Sequence, residues 1–390
     1  MKYKRLFECA DFSDKRTKSI SLESYISTEN MLPNKGGITL AESIPDSSSA
    51  SKYEPQDILL SNIRPYFCKI WYANKEGSCS NDVLVLKAKK EYDSKFLYYV
   101  LSDINFFNYD TVTSKGTKMP RGSKKAIMKY LVPDIDIKEQ RRVASILSTY
   151  DNLIENNNKR IRLLEQMAEN LYKEWFVRFR FPGHEKAEFE NGLPKGWKRE
   201  KIGKVYNTCS GGTPSRVNED FYNNGSIPWV KTGELQDCLI HDAEEFITED
   251  ALKRSSAKLL PNHSLLMAMY GVNIGKLGIL RKEMTCNQAV CAFLPKTADQ
   301  TFYYLYFYLK GIRNYLLSIS FGAAQQNLSQ ALIKNVRIMI PHNDTLQKFE
   351  NKVSCYFDQI SIYQRQNEQL ARQRDLLLPR LMSGKLEVNI

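Results

Sequence analysis

The chain has 390 residues, of which 42% are apolar and 26% charged. These are ordinary values for a soluble globular protein and leave room for two or three domains that each bury a core. A net charge of +12 favours a polyanionic partner, nucleic acid foremost. No run of about 18 uncharged apolar residues occurs, and the opening MKYKRLFECADFSDKR turns acidic and polar too early for a secretion signal. Eight cysteines are scattered without a C-x-x-C pair beside only four histidines, so no zinc site and no metal ligand set are expected. Free thiols without a secretion signal predict a cytoplasmic location.

In chain order, short strands rich in Ile, Val and Leu are predicted at 57–60, 69–73 and 83–87. An aromatic-rich amphipathic helix follows at 95–107, with its Tyr and Phe read as core. Pro133 ends a last strand, and a helix starts near Lys138. From 141 to 179 this helix carries an apolar ladder with gaps of three and four: Leu147, Tyr150, Ile154, Asn157, Ile161, Leu164, Ala168, Leu171 and Trp175. Glu155, Lys159, Arg160, Glu165 and Lys173 flank it, the pattern of a helix packed along another helix. A stretch from Phe181-Pro182-Gly183-His184 to Leu193-Pro194-Lys195-Gly196-Trp197 reads as linker and boundary. Strands are predicted again at 264–269, 278–281 and 289–294, a second aromatic helix at 301–318, and a strand end at Pro341. A final helix from near Thr345 repeats the ladder as Val353, Tyr356, Ile360, Tyr363, Asn367, Leu370, Arg374, Leu377 and Leu381, with Pro379 ending or kinking it.

The chain is therefore read as a tandem duplication. A shift of about 206 lays Pro55 on Pro261, Ser80-Asn81-Asp82-Val83 on Cys286-Asn287-Gln288-Ala289, and Lys115-Gly116-Thr117 on Phe321-Gly322-Ala323. The unit is an α/β globular domain followed by a long helix. The expected organisation is an α+β chain with a first domain at 1–137, a helix at 138–182, a second domain at 183–343 and a terminal helix and tail at 344–390.

Catalytic signatures fail one by one. Gly271-Val-Asn-Ile-Gly275-Lys276 has three residues between its glycines instead of four, and Leu277 replaces the hydroxyl residue of a nucleotide-binding loop. The acids of Pro133-Asp134-Ile135-Asp136-Ile137-Lys138 lie too close in sequence to hold a metal from adjacent strands. No Asn/Asp-Pro-Pro-aromatic tetrapeptide of a base methyltransferase is present, and no Ser/His/Asp arrangement stands out. No catalytic residue is assigned.

Nucleic-acid signals are better. Lys115, Lys118, Arg121, Lys124, Lys125 and Lys129 fall in a stretch without an acid, interrupted by Gly116, Pro120 and Gly122, which reads as a loop suited to phosphates. Within it Arg121 has the fork for guanine. At the equivalent place in the second unit stand Gln325, Gln326, Asn327 and Ser329, amide and hydroxyl side chains suited to adenine edges or phosphates. Further DNA-binding candidates are Arg64 and Tyr66; Ser210, Thr213 and Arg216 of a small, Gly-rich loop; Lys231; and Tyr270, Asn273 and Lys276 of the two-glycine loop.

These features resemble the DNA-specificity subunit of type I restriction-modification systems. The likeness rests on Leu193-Pro194-Lys195-Gly196-Trp197 with Ser210-Gly-Gly-Thr-Pro, on Ile227-Pro228-Trp229-Val230-Lys231-Thr232-Gly233-Glu234-Leu235, and on Tyr270-Gly271 with Gly275-Lys276. Asn327-Leu328-Ser329, Ile340-Pro341 and Leu381-Met382-Ser383-Gly384-Lys385-Leu386 extend it, and Tyr25-Ile26-Ser27-Thr28-Glu29-Asn30 with Met119-Pro120-Arg121-Gly122 carry it in the first unit. The first domain departs from the pattern in lacking the Leu-Pro-x-Gly-Trp opening. The resemblance implies two target-recognition domains, each reading half of a split double-stranded DNA target, with the two helices packed as an antiparallel spacer. It also implies two methyltransferase subunits and two translocase-nuclease subunits as partners. S-adenosylmethionine and ATP would belong to those partners, and this chain would carry no cofactor. A helix of about 40 residues is roughly 60 Å long, enough to separate two domains by about one DNA turn. The Asn rungs either fix the register of the helix pair or face solvent. A stand-alone coiled-coil DNA-binding adaptor or repressor, acting without a methyltransferase, is the alternative.

Overall fold

The computed structural model describes residues 2–46, 49–297, 300–320 and 327–382. The chain divides into two compact units, Met1–Asn157 with Arg365–Ile390, and Asn158–Gln364. Each takes a segment of both long helices.

In the first unit a four-stranded antiparallel sheet runs in the order Ala10–Phe12, Val83–Ala88, Ile58–Ser61, Ile70–Tyr72. Its central strand is buried on both faces, so successive side chains feed two different cores. Ile58 and Leu60 pack with Leu84, Leu86 and Phe96, while Leu59 packs with Tyr53, Val83 and Val85. A second sheet joins Arg16–Thr17, Ala50–Tyr53, Gly77–Cys79 and Tyr25–Ile26, with the last pair parallel. A ribbon of Tyr3–Arg5 with Leu131–Pro133 closes the unit.

The second unit repeats the plan. Asn207–Ser210, Val290–Leu294, Leu265–Ala268, Leu277–Leu280 and Cys238–Ile240 make a five-stranded sheet. Leu265 and Met267 enter one core, and Leu266 and Ala268 the other. Glu245–Ile247, Ile227–Val230 and Thr285–Cys286 make the smaller sheet, and Lys198–Lys201 with Arg337–Ile340 the ribbon.

Strand register fixes the repeat at 207. Ile58 pairs with Leu86 and Leu265 with Phe293, and each number differs from its counterpart by 207 (265 less 58, 293 less 86). The left-handed residues Gln56 and His263 follow the same offset. The shift of about 206 suggested by Pro55 and Pro261 is therefore one residue short in the core, and Ser80 falls on Asn287 instead of Cys286. Because side chains alternate along a strand, one residue decides which face is buried. Residues 321–323, laid on 115–117 by the sequence, lie outside the described residues.

Each predicted aromatic helix is two helices. Ser94–Ser102 ends where Asp103 accepts from the Asn105 N–H and starts Ile104–Thr113, and Tyr303–Gly311 is followed by Arg313–Ser320. An Asp at a helix start satisfies free backbone N–H groups, which outweighs the apolar continuity across it. Most of the aromatic rings are core, as Phe96, Tyr99, Phe106, Phe107, Tyr303 and Tyr304 are fully or almost fully buried, but Tyr315 is exposed.

The first long helix runs Ile137–Tyr172 and continues as a π-helical turn, Lys173–Val177. The second runs Asn343–Met382, through Pro379. Every ladder position on both is buried or half-buried. In the first unit Asp151 pairs with Arg374 at 2.5 Å and Asn157 with Asn367 at 3.0 Å. Partner numbers fall along one helix as they rise along the other, so the segments are antiparallel. In the second unit the Arg160 guanidinium lies 5.6 Å from the Tyr363 ring and donates to its hydroxyl at 3.2 Å.

The linker residues 181–197 are not a loose tether. Phe181 and Trp197 are buried with Phe176 and Phe179, with ring centroids 5.1 to 5.9 Å from Trp197. Gly196 has φ +85°, and a Cβ there would meet His342 Cε1 at 2.4 Å. This explains the glycine before the tryptophan.

Candidate nucleic-acid interface

In the first unit the cationic stretch folds back on itself. Lys115 and Arg121 exchange backbone hydrogen bonds at 2.9 Å each, and Ile63 bridges to Arg121. The Arg64 N–H donates to the Pro120 carbonyl at 2.8 Å, so Arg64, Tyr66, Lys115 and Arg121 share one connected edge. Lys118 sits exposed on the turn of that hairpin. Lys124 and Lys125 are not in a loop. They begin a short helix, Lys124–Ile127, because the Ser123 hydroxyl accepts from the Ala126 N–H. Among the described residues, Arg64, Lys115, Lys118 and Lys125 form no ion pair, while Arg121 is 3.2 Å from Asp82.

Beneath this edge lies an unpaired acid. Asp110 is fully buried, and neither carboxylate oxygen has a hydrogen-bond partner. A Cβ on Gly122 would lie 2.6 Å from Asp110 Oδ1 and 2.9 Å from Asn62 Oδ1. Burial pushes the Asp110 carboxyl up to about 7.

In the second unit one carboxylate gathers two candidates. Glu245 accepts from Arg216 at 2.5 Å and from Lys231 at 2.9 Å, and these two cations hold it below the usual carboxylate range. The Arg216 guanidinium stacks over Tyr222 at 4.2 Å and Trp229 at 5.0 Å. Thr213, on the same small loop, donates its hydroxyl to Gln288. Ser210 is half-buried at 3.5 Å from Gln330 Oε1.

The two-glycine loop is tied to this group. Asn273 donates its amide to the Thr232 and Gly233 carbonyls at 3.0 Å each, beside Lys231. Tyr270 is half-buried, and Lys276 is 3.3 Å from Asp237, which also pairs with Arg313. Asn273 and Lys276 thus hold the loop in place. Asn327 is exposed, and the neighbouring Leu328 N–H donates to the Met269 carbonyl at 2.8 Å. Gln325 and Gln326 lie outside the described residues. The sequence reading missed Asp82, Glu245 and Tyr222. Asp82 and Glu245 act through contacts with residues distant in the chain, so no local pattern marks them, while Tyr222 lies six residues after the Arg216 that stacks on it.

Among the described residues no three His, Cys, Asp or Glu side chains come together to hold a metal, and no helix is long and apolar enough to cross a membrane. Two units on one strand plan, with different polar side chains on matching loops, define a duplicated reading scaffold. The chain belongs to the type I restriction modification DNA specificity domain family, whose model matches residues 4–166 and again 194–372. It is 29% identical over 302 residues to the type I restriction enzyme MjaIX specificity subunit of Methanocaldococcus jannaschii, covering 76% of this chain and 69% of that one. To the MjaVIII specificity subunit of the same organism it is 25% identical over 333 residues, covering 81% and 76%. Its fold matches the crystal structure of the type I restriction-modification S subunit from M. genitalium with a TM-score of 0.59 and 16% identity, over 97% of this chain and 95% of that one. Specificity subunits of this kind are non-catalytic DNA-recognition subunits.

Proposed function

We propose that each unit reads one half of a bipartite double-stranded DNA target, and that the long helices carry two methyltransferase subunits. Two translocase-nuclease subunits complete the restriction enzyme. In this reading the assembly is an adenine-specific methyltransferase and site-specific endonuclease working in the cytoplasm. S-adenosylmethionine and ATP bind the partner subunits.

One observation carries the reading. The turn after the central strand has left-handed residues at matching positions in the two units, Arg64 and Cys68 in one and Gly271 and Gly275 in the other. The side chains exposed on it differ: Tyr66 in the first unit and Val272 in the second. Matching turns under different exposed side chains are what two independent readers require, because bases are distinguished by side-chain donors, acceptors and apolar contacts.

The test is exchange of residues 183–342 for the corresponding segment of another family member. Sequencing of methylated sites should show one half of the motif replaced and the other kept. Change in both halves, or in neither, would contradict modular reading.

A further inference from the structure

Val272 is completely exposed, at 105% of the reference area, on the tip of the two-glycine loop. A bare β-branched side chain on a loop tip gains nothing from folding, and this loop is held by hydrogen bonds along its length. The Ile274 N–H donates to the Gly271 carbonyl at 3.2 Å, the Gly275 N–H to Ala268 at 2.9 Å and the Lys276 N–H to Asn273 at 2.8 Å. Asn273 in turn fixes the loop to residues 232 and 233. Gly271 and Gly275 have φ of +88° and +76°, conformations that suit glycine.

The equivalent turn of the first unit also exposes apolar groups. The Phe67 N–H donates to the Arg64 carbonyl at 3.0 Å, matching the Ile274 bond, and Tyr66 and Phe67 are 49% and 38% exposed. The turn thus offers apolar surface in both units, although Tyr66 and Val272 are different residues at neighbouring positions of it. The Tyr66 ring packs against Phe67, with centroids 4.7 Å apart, whereas packing of the turn does not account for Val272.

We propose that Val272 is a specificity-determining residue that contacts the C5-methyl group of a thymine in the half-site read by the second unit. The inference rests on the DNA-reading function proposed above. Valine has no polar atom for a phosphate, and the thymine methyl is the one apolar group displayed on base edges in the major groove. Its stiff χ1 means little rotamer freedom is lost on contact. Lys231, which pairs with Glu245 at 2.9 Å, adjoins the residues that anchor the loop.

The test uses the full chain assembled with its methyltransferase subunits and a duplex carrying the methylated motif. Each thymine of the second unit's half-site is replaced in turn by deoxyuridine, which removes only the methyl group. At one position the wild type should lose roughly fourfold in affinity, the scale of one buried methyl. In Val272→Ala that loss should vanish while sensitivity to a changed base elsewhere in the motif persists. Equal loss in the variant, or no sensitive thymine in the wild type, would overturn the proposal. Failure of the wild-type assembly to distinguish its motif from unrelated DNA would overturn the DNA-reading function itself, and this inference with it.

Discussion

Asn157 donates a side-chain N–H to Oδ1 of Asn367 at 3.0 Å, and both lie on the apolar ladders of their helices. The ladders alone allow an antiparallel pair to slide by a heptad. The amide pair removes that freedom, since any other register leaves a buried amide facing apolar rungs.

Asn157→Ala should destabilise the first unit by about 1 kcal/mol. The double change to Leu at 157 and 367 should recover or exceed wild-type stability while permitting other registers. Urea denaturation of both variants, with disulfide trapping between the helices, checks this. A double-Leu protein still held in one register would refute the role assigned to the pair.

Asp151 and Arg374 form a second cross-helix contact, and Asp151 also accepts from the Tyr99 hydroxyl at 2.5 Å. Both charged side chains are largely buried. Arg374→Ala leaves the carboxylate unpaired and should cost about 3–5 kcal/mol. Replacing Asp151 and Arg374 together by Leu and Met should cost far less. Thermal melts of the three proteins decide it, and a single variant no worse than the double would contradict the account.

Stability should also respond to pH through Asp110. Its carboxyl titrates near 7 in the folded chain, against about 4 when unfolded. Between those values the folded state binds the extra proton, so this group makes stability fall as pH rises from about 4 to 7. The full effect is at most about 4 kcal/mol. Asp110→Asn should flatten that slope and raise the melting temperature at pH 8. Parallel slopes for the variant and wild type would rule this out.

For the interface, Lys118→Ala should weaken DNA binding about equally on all sequences and reduce the salt slope by about 1. Arg121→Ala should weaken binding by about tenfold or more and relax one base position. Binding measured at several salt concentrations separates the two. Unchanged affinity and methylation pattern for Arg121→Ala would remove it from the interface.

Much of the fold is legible locally. The ladders from Leu147 to Trp175 and from Val353 to Leu381 are visible because helical packing repeats every three or four residues. The strands are visible as short apolar runs, but their alignment slipped by one, since Pro55 and Pro261 punctuate turns and do not fix register. The break at Asp103 is hidden by the aromatic run around it. The interface was less accessible. The connection of Arg64 with Lys115 and Arg121, the shared Glu245 and the buried Asp110 all arise from contacts between residues tens of positions apart. Arg121 and Arg216 could be read as cations from the sequence, but their carboxylate partners Asp82 and Glu245 could not.

The central claim is that two units read two separated half-sites. Single-molecule methylation sequencing of cells carrying this chain with its methyltransferase subunits tests it most directly. The account predicts a split, adenine-containing motif, two short specific blocks around a fixed unspecified gap, that disappears when the chain is deleted. A continuous motif, or one that survives deletion, would contradict it.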